Sequence, residues 1–269
     1  MANLVLLISY LVTETTMSWN PELYHKFQKE RFAPFKDLMD LIVIRQGLRV
    51  LDLGCGTGEL TEMVSDLLHK SHVLGIDNSS EMLKKASQRK SIGLDFELCP
   101  IQDASGSWDL IFSNAAIQWV DNHQELIPKL ISLLNFGGQI AIQLPANHNH
   151  PTQQLIVEIA NEDPYKSALN SWQRRWSVLS IREYSELLYE SGAQEINVFE
   201  KIYPHVLDDI DAVIEWLSGT VLIPYFERLP KDLHDDFLNS YRERLLDLYP
   251  EVPVFYPYQR IFISAKWSE

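Results

Sequence analysis

Three glycines, Gly54, Gly56 and Gly58, with Asp52 just ahead of them, define the chemistry this chain could host. They lie between a short apolar run, Leu48 to Leu53, and a stretch whose Leu60, Met63, Val64, Leu67 and Leu68 recur at helical spacing. A glycine-rich turn from strand to helix lets the backbone approach a ligand closely and offers amide donors at the helix start. The G-x-G-x-G spacing differs from the G-x-G-x-x-G of a dinucleotide site, and no Gly-Lys-Ser/Thr follows to hold a nucleoside triphosphate. Asp52 would repel a pyrophosphate and attract a cationic amino acid. Asp77 ends the next apolar run 25 positions later, near where an acidic side chain takes ribose hydroxyls in such arrangements. Together they imply a ligand that joins a ribose to an amino acid. The alternative is that Asp52 and Asp77 only cap helices around a tight turn.

The elements that must position this loop alternate in type. Further apolar runs occur at Val73 to Ile76, Asp95 to Leu98, Trp108 to Phe112 and Gln139 to Gln143. Amphipathic stretches separate most of them, one opened by Asn78 and Glu81 as a capping box and another marked by Leu126, Ile127, Leu130, Ile131 and Leu134. Two helices are expected before the first strand, Glu22 to Arg31 and Pro34 to Ile44. Ser180 with Glu183 predicts a later helix start, and Gly192 its end, ahead of a strand from Glu195 to Ile202. Residues Asp208 to Leu248 read as helical, and "YQRIFISAKW" as a last strand.

This pattern predicts an α/β chain with a doubly wound, mostly parallel, seven-stranded Rossmann-like sheet and a helical lid inserted between the last two strands. The expected organisation is an extension over 1–16, then a single domain over 17–269. Within it, helices cover about 17–46, a cofactor-binding core about 47–145, and the lid about 204–256. An insertion of that length is often functional.

Composition limits the function further. The 37 acidic and 23 basic side chains give a net charge of -14, which argues against a broad nucleic-acid surface. Cys55 and Cys99 make neither a metal-ligand spacing nor a disulfide framework, so no metal is expected. The apolar stretch Leu4 to Val12 is too short for a membrane span, and without a basic n-region or a small-residue cleavage site it fits a signal peptide poorly. The expectation is a cytoplasmic protein, monomeric or a weak homo-oligomer, whose segment before Met17 is an upstream start or a loosely attached arm.

The segments "LDLGCGTG", "GIDNSSEM" and "WDLIFSNAAIQWV" resemble the successive motifs of class I S-adenosylmethionine methyltransferases. "SWNPELYHKF", "NHPTQQL" and "IEWLSGTVLIP" extend the resemblance to the bacterial trans-aconitate 2-methyltransferases, from about Met17 to the end. The resemblance implies S-adenosyl-L-methionine as cofactor and S-adenosyl-L-homocysteine as its product. It places Asp52, Gly54 and Gly56 along the methionine part, Asp77 at the ribose and Met82 over the adenine, with Cys55, Gly58 and Asn78 also in the cofactor site. Gln102 or Asp103 would meet the adenine amine, in a family where an acidic residue often stands at the position of Pro100 here. Asn114 and Ala115 would approach the sulfonium.

The same resemblance implies a small carboxylic acid as acceptor, trans-aconitate first, converted to its methyl ester by in-line attack. A carboxylate is ionised near neutral pH, with a reference pKa of about 4, so no general base is required. The other arms of a polycarboxylate need cationic or hydroxyl donors, for which Trp119, Arg175, Tyr203, His205, Trp216 and Arg260 are the candidates. Arg174 and Tyr225 stand nearby in sequence, and Trp19, Tyr24, Phe27 and Arg31 could form a second cover over the cofactor. Each aromatic residue has a purely structural alternative in the core. Competing functions are methylation of a malonyl-carrier protein, a fatty acid or a small amine, and a non-catalytic module that binds an adenosyl ligand.

Overall fold

The computed structural model of the protein describes residues 28–268. The expected extension over 1–16 and the aromatic residues Trp19, Tyr24 and Phe27 lie outside the described residues, as does the side chain of Arg31.

The first described helix, α1, spans Gln28–Met39 and carries Pro34 inside it. The expected break between Arg31 and Pro34 is therefore absent. Packing accounts for this: Phe35 and Leu38 on the same helix are buried, and the Phe35 ring meets Phe112 edge-on at 6.1 Å.

Seven strands follow in the order β3-β2-β1-β4-β5-β7-β6 across one sheet. They are β1 (Arg49–Leu53), β2 (His72–Asp77), β3 (Leu94–Leu98), β4 (Trp108–Asn114), β5 (Leu134–Pro145), β6 (Ala193–Leu207) and β7 (Val254–Trp267). Strands β1 to β5 pair in parallel, whereas β7 runs antiparallel to β5. The helices between them are α2 (Glu59–Leu67), α3 (Ser80–Ala86) and α4 (His123–Ser132), and α7 (Ile181–Glu190) precedes β6. Successive strand residues face opposite sides. Leu51, Ile111, Ile140 and Ile142 accordingly join one apolar cluster, while Val50, Leu110, Phe112 and Ala141 join another. A sheet covered on both faces explains why its strands read as continuous apolar runs.

Two helix starts show how far local signals reach. The Ser180–Glu183 capping box forms as expected, with reciprocal bonds between side chains and backbone. Helix α3, by contrast, is capped by Ser79, whose hydroxyl accepts from the Met82 amide, and not by Asn78, which is exposed. Asp77 explains the shift: its carboxylate takes the Ser79 amide at 2.8 Å and fixes that residue as the last one before the helix.

The chain divides into two compact units. One holds Lys29–Asn147, Trp176–Tyr203 and residues 257–268; the other holds His148–Arg175 and Pro204–Tyr256. The second unit is largely helical: α5 (Pro151–Ala160), α6 (Tyr165–Ala168), α8 (Ile210–Ser218), α9 (Ile223–Phe226) and α10 (His234–Leu248). The stretch from 208 to 248, expected to be helical, comprises α8, α9 and α10. Gly219 ends α8, Pro224 sits in the first turn of α9, and Pro230 precedes the turn into α10. Tyr165, Tyr225 and Phe226 pack their rings against Phe237, and the Tyr241 hydroxyl donates to the Thr152 carbonyl at 3.0 Å. Helix α5 is an element the sequence pattern left unassigned. His150 caps it and Pro151 fills its first turn.

Candidate cofactor site

Strand order reverses at β1, which lies between β2 and β4, so the crevice beyond the carboxyl ends of β1 and β4 is the natural ligand position. The glycine loop leaves β1 there. Gly54 and Cys55 both donate to the Ile76 carbonyl, at 2.8 and 3.0 Å, which ties the loop to β2. Gly54 has φ +76°, and a Cβ on it would stand 2.2 Å from the Ala116 Cβ, so the close approach of the two loops requires glycine. Gly56, at φ +56°, faces open space, where a ligand can reach its backbone.

The two acidic residues take different positions. Asp52 is buried and accepts the Thr61 hydroxyl at 2.7 Å. Burial, with the nearby Asp77 charge, lifts its carboxyl to about 7 against the pull of that hydrogen bond. Asp77 is half-buried and accepts the Gly56 amide at 2.9 Å through one oxygen and the Ser79 amide through the other. Each carboxylate oxygen has a second lone pair, so Asp77 retains capacity for ribose hydroxyls. Cys55 turns its buried side chain toward Gly75, and burial pushes its thiol well above the usual range.

At the end of β4, Ala115 adopts φ +53°, a left-handed conformation that costs a residue with a Cβ about 1 kcal/mol or more. Its amide donates to the Gln143 carbonyl at 2.8 Å, and its own carbonyl accepts from the Gln118 side chain at 2.7 Å. The Gln118 amide oxygen is a buried acceptor with no hydrogen-bond partner among the described residues. Beneath this turn His123 is fully buried, one ring nitrogen 2.8 Å from the Ile117 carbonyl and the other 2.6 Å from the Tyr184 hydroxyl. Gln102 and Asp103 are exposed on the short turn Ile101–Asp103, and Met82 is half-buried in the first turn of α3.

The acceptor candidates separate. Trp119, Tyr203 and Arg260 belong to the unit that carries the glycine loop; Arg175, His205 and Trp216 belong to the other. Trp119 is 51% exposed on the turn after Ala115. Tyr203 is buried, and its hydroxyl is committed to Asp37, which also pairs with Lys201. His205 and Trp216 are buried together, their ring centroids 4.8 Å apart. Arg260 is buried on β7, over the Tyr258 ring, and donates to the Gln143 side chain at 3.0 Å. The sequence pattern did not single out Thr61 or Gln143. Thr61 had a signal, because it shares a helix face with Val64 and Leu68, three and seven residues on, and so points toward the sheet.

A family model described as a methyltransferase domain matches residues 44–192. Trans-aconitate 2-methyltransferase from Deinococcus radiodurans is 40% identical over 259 residues, covering 94% of this chain and 100% of its own. The enzyme of that name from Variovorax paradoxus is 38% identical over 240 residues, covering 87% and 91%. The chain belongs to the S-adenosylmethionine-dependent methyltransferase family. At 16% identity, phosphoethanolamine N-methyltransferase 2 from Haemonchus contortus shares the fold of this methyltransferase with a TM-score of 0.53, covering 88% of this chain and 53% of that one.

The residues of the methyltransferase fit S-adenosylmethionine. Gly56 leaves open the space that a Cβ would enter, and Asp77 offers acceptors to a ribose. The Gln118 oxygen, a buried acceptor without a partner among the described residues, and the Asp52 carboxyl are acceptors of the kind an ammonium takes. Among the described residues no group of His, Cys, Asp or Glu could hold a metal ion, and no helix is long and apolar enough to cross a membrane.

Proposed function

We propose that this methyltransferase esterifies a carboxylate of trans-aconitate. The observation that carries this reading is the 32–40% identity to trans-aconitate 2-methyltransferases over most of the chain. When bound, S-adenosylmethionine supplies a methyl group made electrophilic by its sulfonium. The protein need only bring a carboxylate oxygen into line with it and exclude water, because the nucleophile is already ionised. The glycine loop and Asp77 fix the donor, and the Ala115 turn shapes the space next to it. Arg260 gives the carboxyl end of β5 a buried positive charge, which suits an acceptor with several carboxylates. Residues 204–256 form the acceptor-binding lid, to which His205 and Trp216 belong.

Incubation with a labelled methyl donor and a panel of mono-, di- and tricarboxylates, with products identified by mass, tests the proposal. A monomethyl ester of trans-aconitate is the expected product. Labelling of fatty acids, a carrier protein or amines with tricarboxylates inert would remove the acceptor assignment and leave the methyltransferase.

A further inference from the structure

We propose that Gln143 is a positioning residue that fixes the polarity of the Asn114 amide, so that the site meets a carboxylate with N–H donors. Arg260 lies opposite Pro145, the last residue of β5, and is therefore at the carboxyl ends of the parallel strands. A guanidinium has donors and no acceptor. Gln143 consequently presents Oε1 to Arg260 Nη1, at 3.0 Å, and this turns its Nε2 toward Asn114 Oδ1, at 3.5 Å. This holds Asn114 Oδ1 on the Gln143 side and turns Nδ2, with its two N–H donors, to the other side, where it can address a ligand. A half-turn of the Asn114 amide would set donor against donor. A half-turn of Gln143 would do the same at Arg260. Gln143 is fully buried and Arg260 is 5% exposed, so a mismatch between those two would carry nearly its full desolvation cost, and one at the half-buried Asn114 would cost less.

The relay runs from a cation through two amides to the end of β4, next to the strained Ala115 turn. Its outcome is a neutral donor pair and not a second positive charge, which favours an anion without repelling a sulfonium. This rests on the reading of the site as one where a carboxylate meets the methyl donor. Two carboxylates qualify, that of the methionyl part of the cofactor and that of the acceptor.

Gln143→Glu and Gln143→Met separate the possibilities. Gln143→Glu would keep the Arg260 contact but turn an acceptor toward Asn114, reversing that amide; Gln143→Met would keep the volume and remove the polarity. Gln143→Glu is expected to raise one of two constants by about tenfold or more, and Gln143→Met to raise the same constant by less. The two are the KM of the acceptor at saturating cofactor and the Kd of S-adenosylhomocysteine measured by calorimetry. Whichever rises names the carboxylate. Should Gln143→Glu not fold in a thermal melt, Gln143→Met is measured in an Asn114→Ala background, where it should have no further effect. Equal constants for the two variants, no change in either constant, or a Gln143→Met effect that persists without Asn114 would overturn the proposal. Wild-type turnover of trans-aconitate tests the acceptor reading separately, and the S-adenosylhomocysteine measurement needs no acceptor.

Discussion

The Asp52 carboxylate accepts the Thr61 hydroxyl at 2.7 Å in a buried setting, and this one contact ties β1 to α2 across the glycine loop. It also leaves a negative charge that water does not stabilise, so the Asp52 carboxyl is raised to about 7, chiefly by burial. The raised value makes a stability statement. Between the ordinary carboxyl pKa of 3.8 and about 7 the folded state holds a proton that the unfolded state has lost, so stability from this group falls as pH rises through that window. Above it the buried charge costs on the order of a few kcal/mol. Asp52→Asn retains an oxygen for Thr61 and carries no charge. In thermal melts without cofactor it should gain stability over wild type at pH 8 and lose that advantage near pH 4. A difference between the two proteins that does not vary with pH would show that Asp52 ionises normally.

Cofactor binding should reverse this balance. The ammonium of S-adenosylmethionine favours the charged form of Asp52, so its carboxyl should fall from about 7 and release its proton. Calorimetry at pH 6 in buffers of different ionisation enthalpy should report release approaching one proton per site, and clearly less at pH 8. Asp52→Asn should abolish the release and weaken cofactor binding. Identical enthalpies in all buffers at pH 6 would separate Asp52 from the ammonium.

The strand, glycine turn and helix around Gly54 to Gly58 were legible in the sequence because their requirements are local. Glycine spacing, a preceding acid and a strand-to-helix change all fall within Leu48 to Leu68. The Ser180–Glu183 box was legible for the same reason. Asn78 and Ser79 are both good caps, and a tertiary contact, Asp77 to the Ser79 amide, chose between them. Gln143 was invisible because its partner Arg260 is 117 residues away, and a buried glutamine in an apolar strand has no periodic signature. Helix α5 escaped because histidine is a weak cap signal and Pro151 reads first as a turn former. Long-range polar pairing of this kind leaves no local trace in the sequence.

Gly54 and Gly56 should separate folding from binding. An alanine at Gly54 meets the Ala116 Cβ at 2.2 Å and must also hold φ +76°, so Gly54→Ala should destabilise the apo-protein by more than the roughly 1 kcal/mol that left-handed strain alone costs. At Gly56 nothing stands within 4 Å of the added methyl, and only the strain of φ +56° remains. Gly56→Ala should therefore lose only that roughly 1 kcal/mol of stability, less than Gly54→Ala, yet lose about tenfold or more in S-adenosylhomocysteine affinity, because the methyl enters the ligand's space. Paired melts and titrations check this. A Gly56→Ala protein with unchanged affinity would move the ligand off that part of the loop.

His123 should behave as a neutral strut. The Ile117 carbonyl can only accept, so Nε2 carries the proton and Nδ1 accepts from the Tyr184 hydroxyl. The same hydroxyl accepts the Leu179 amide at 3.3 Å, which links the turn bearing Gln118 and Trp119 to α7. Burial holds the imidazole below its ordinary pKa of 6.5. The folded state thus binds fewer protons than the unfolded one, and stability from this group is present above 6.5 and declines as pH falls toward the lowered folded value. Tyr184→Phe removes the donor and leaves Nδ1 and the Leu179 amide buried without it, a loss of about 1–3 kcal/mol in denaturant unfolding at pH 7.5. Nitrogen NMR of the ring should show the neutral Nε2–H form persisting below pH 6.5 in wild type. A His123 that titrates at its ordinary value, with Tyr184→Phe as stable as wild type, would show that this pair does not brace the turn.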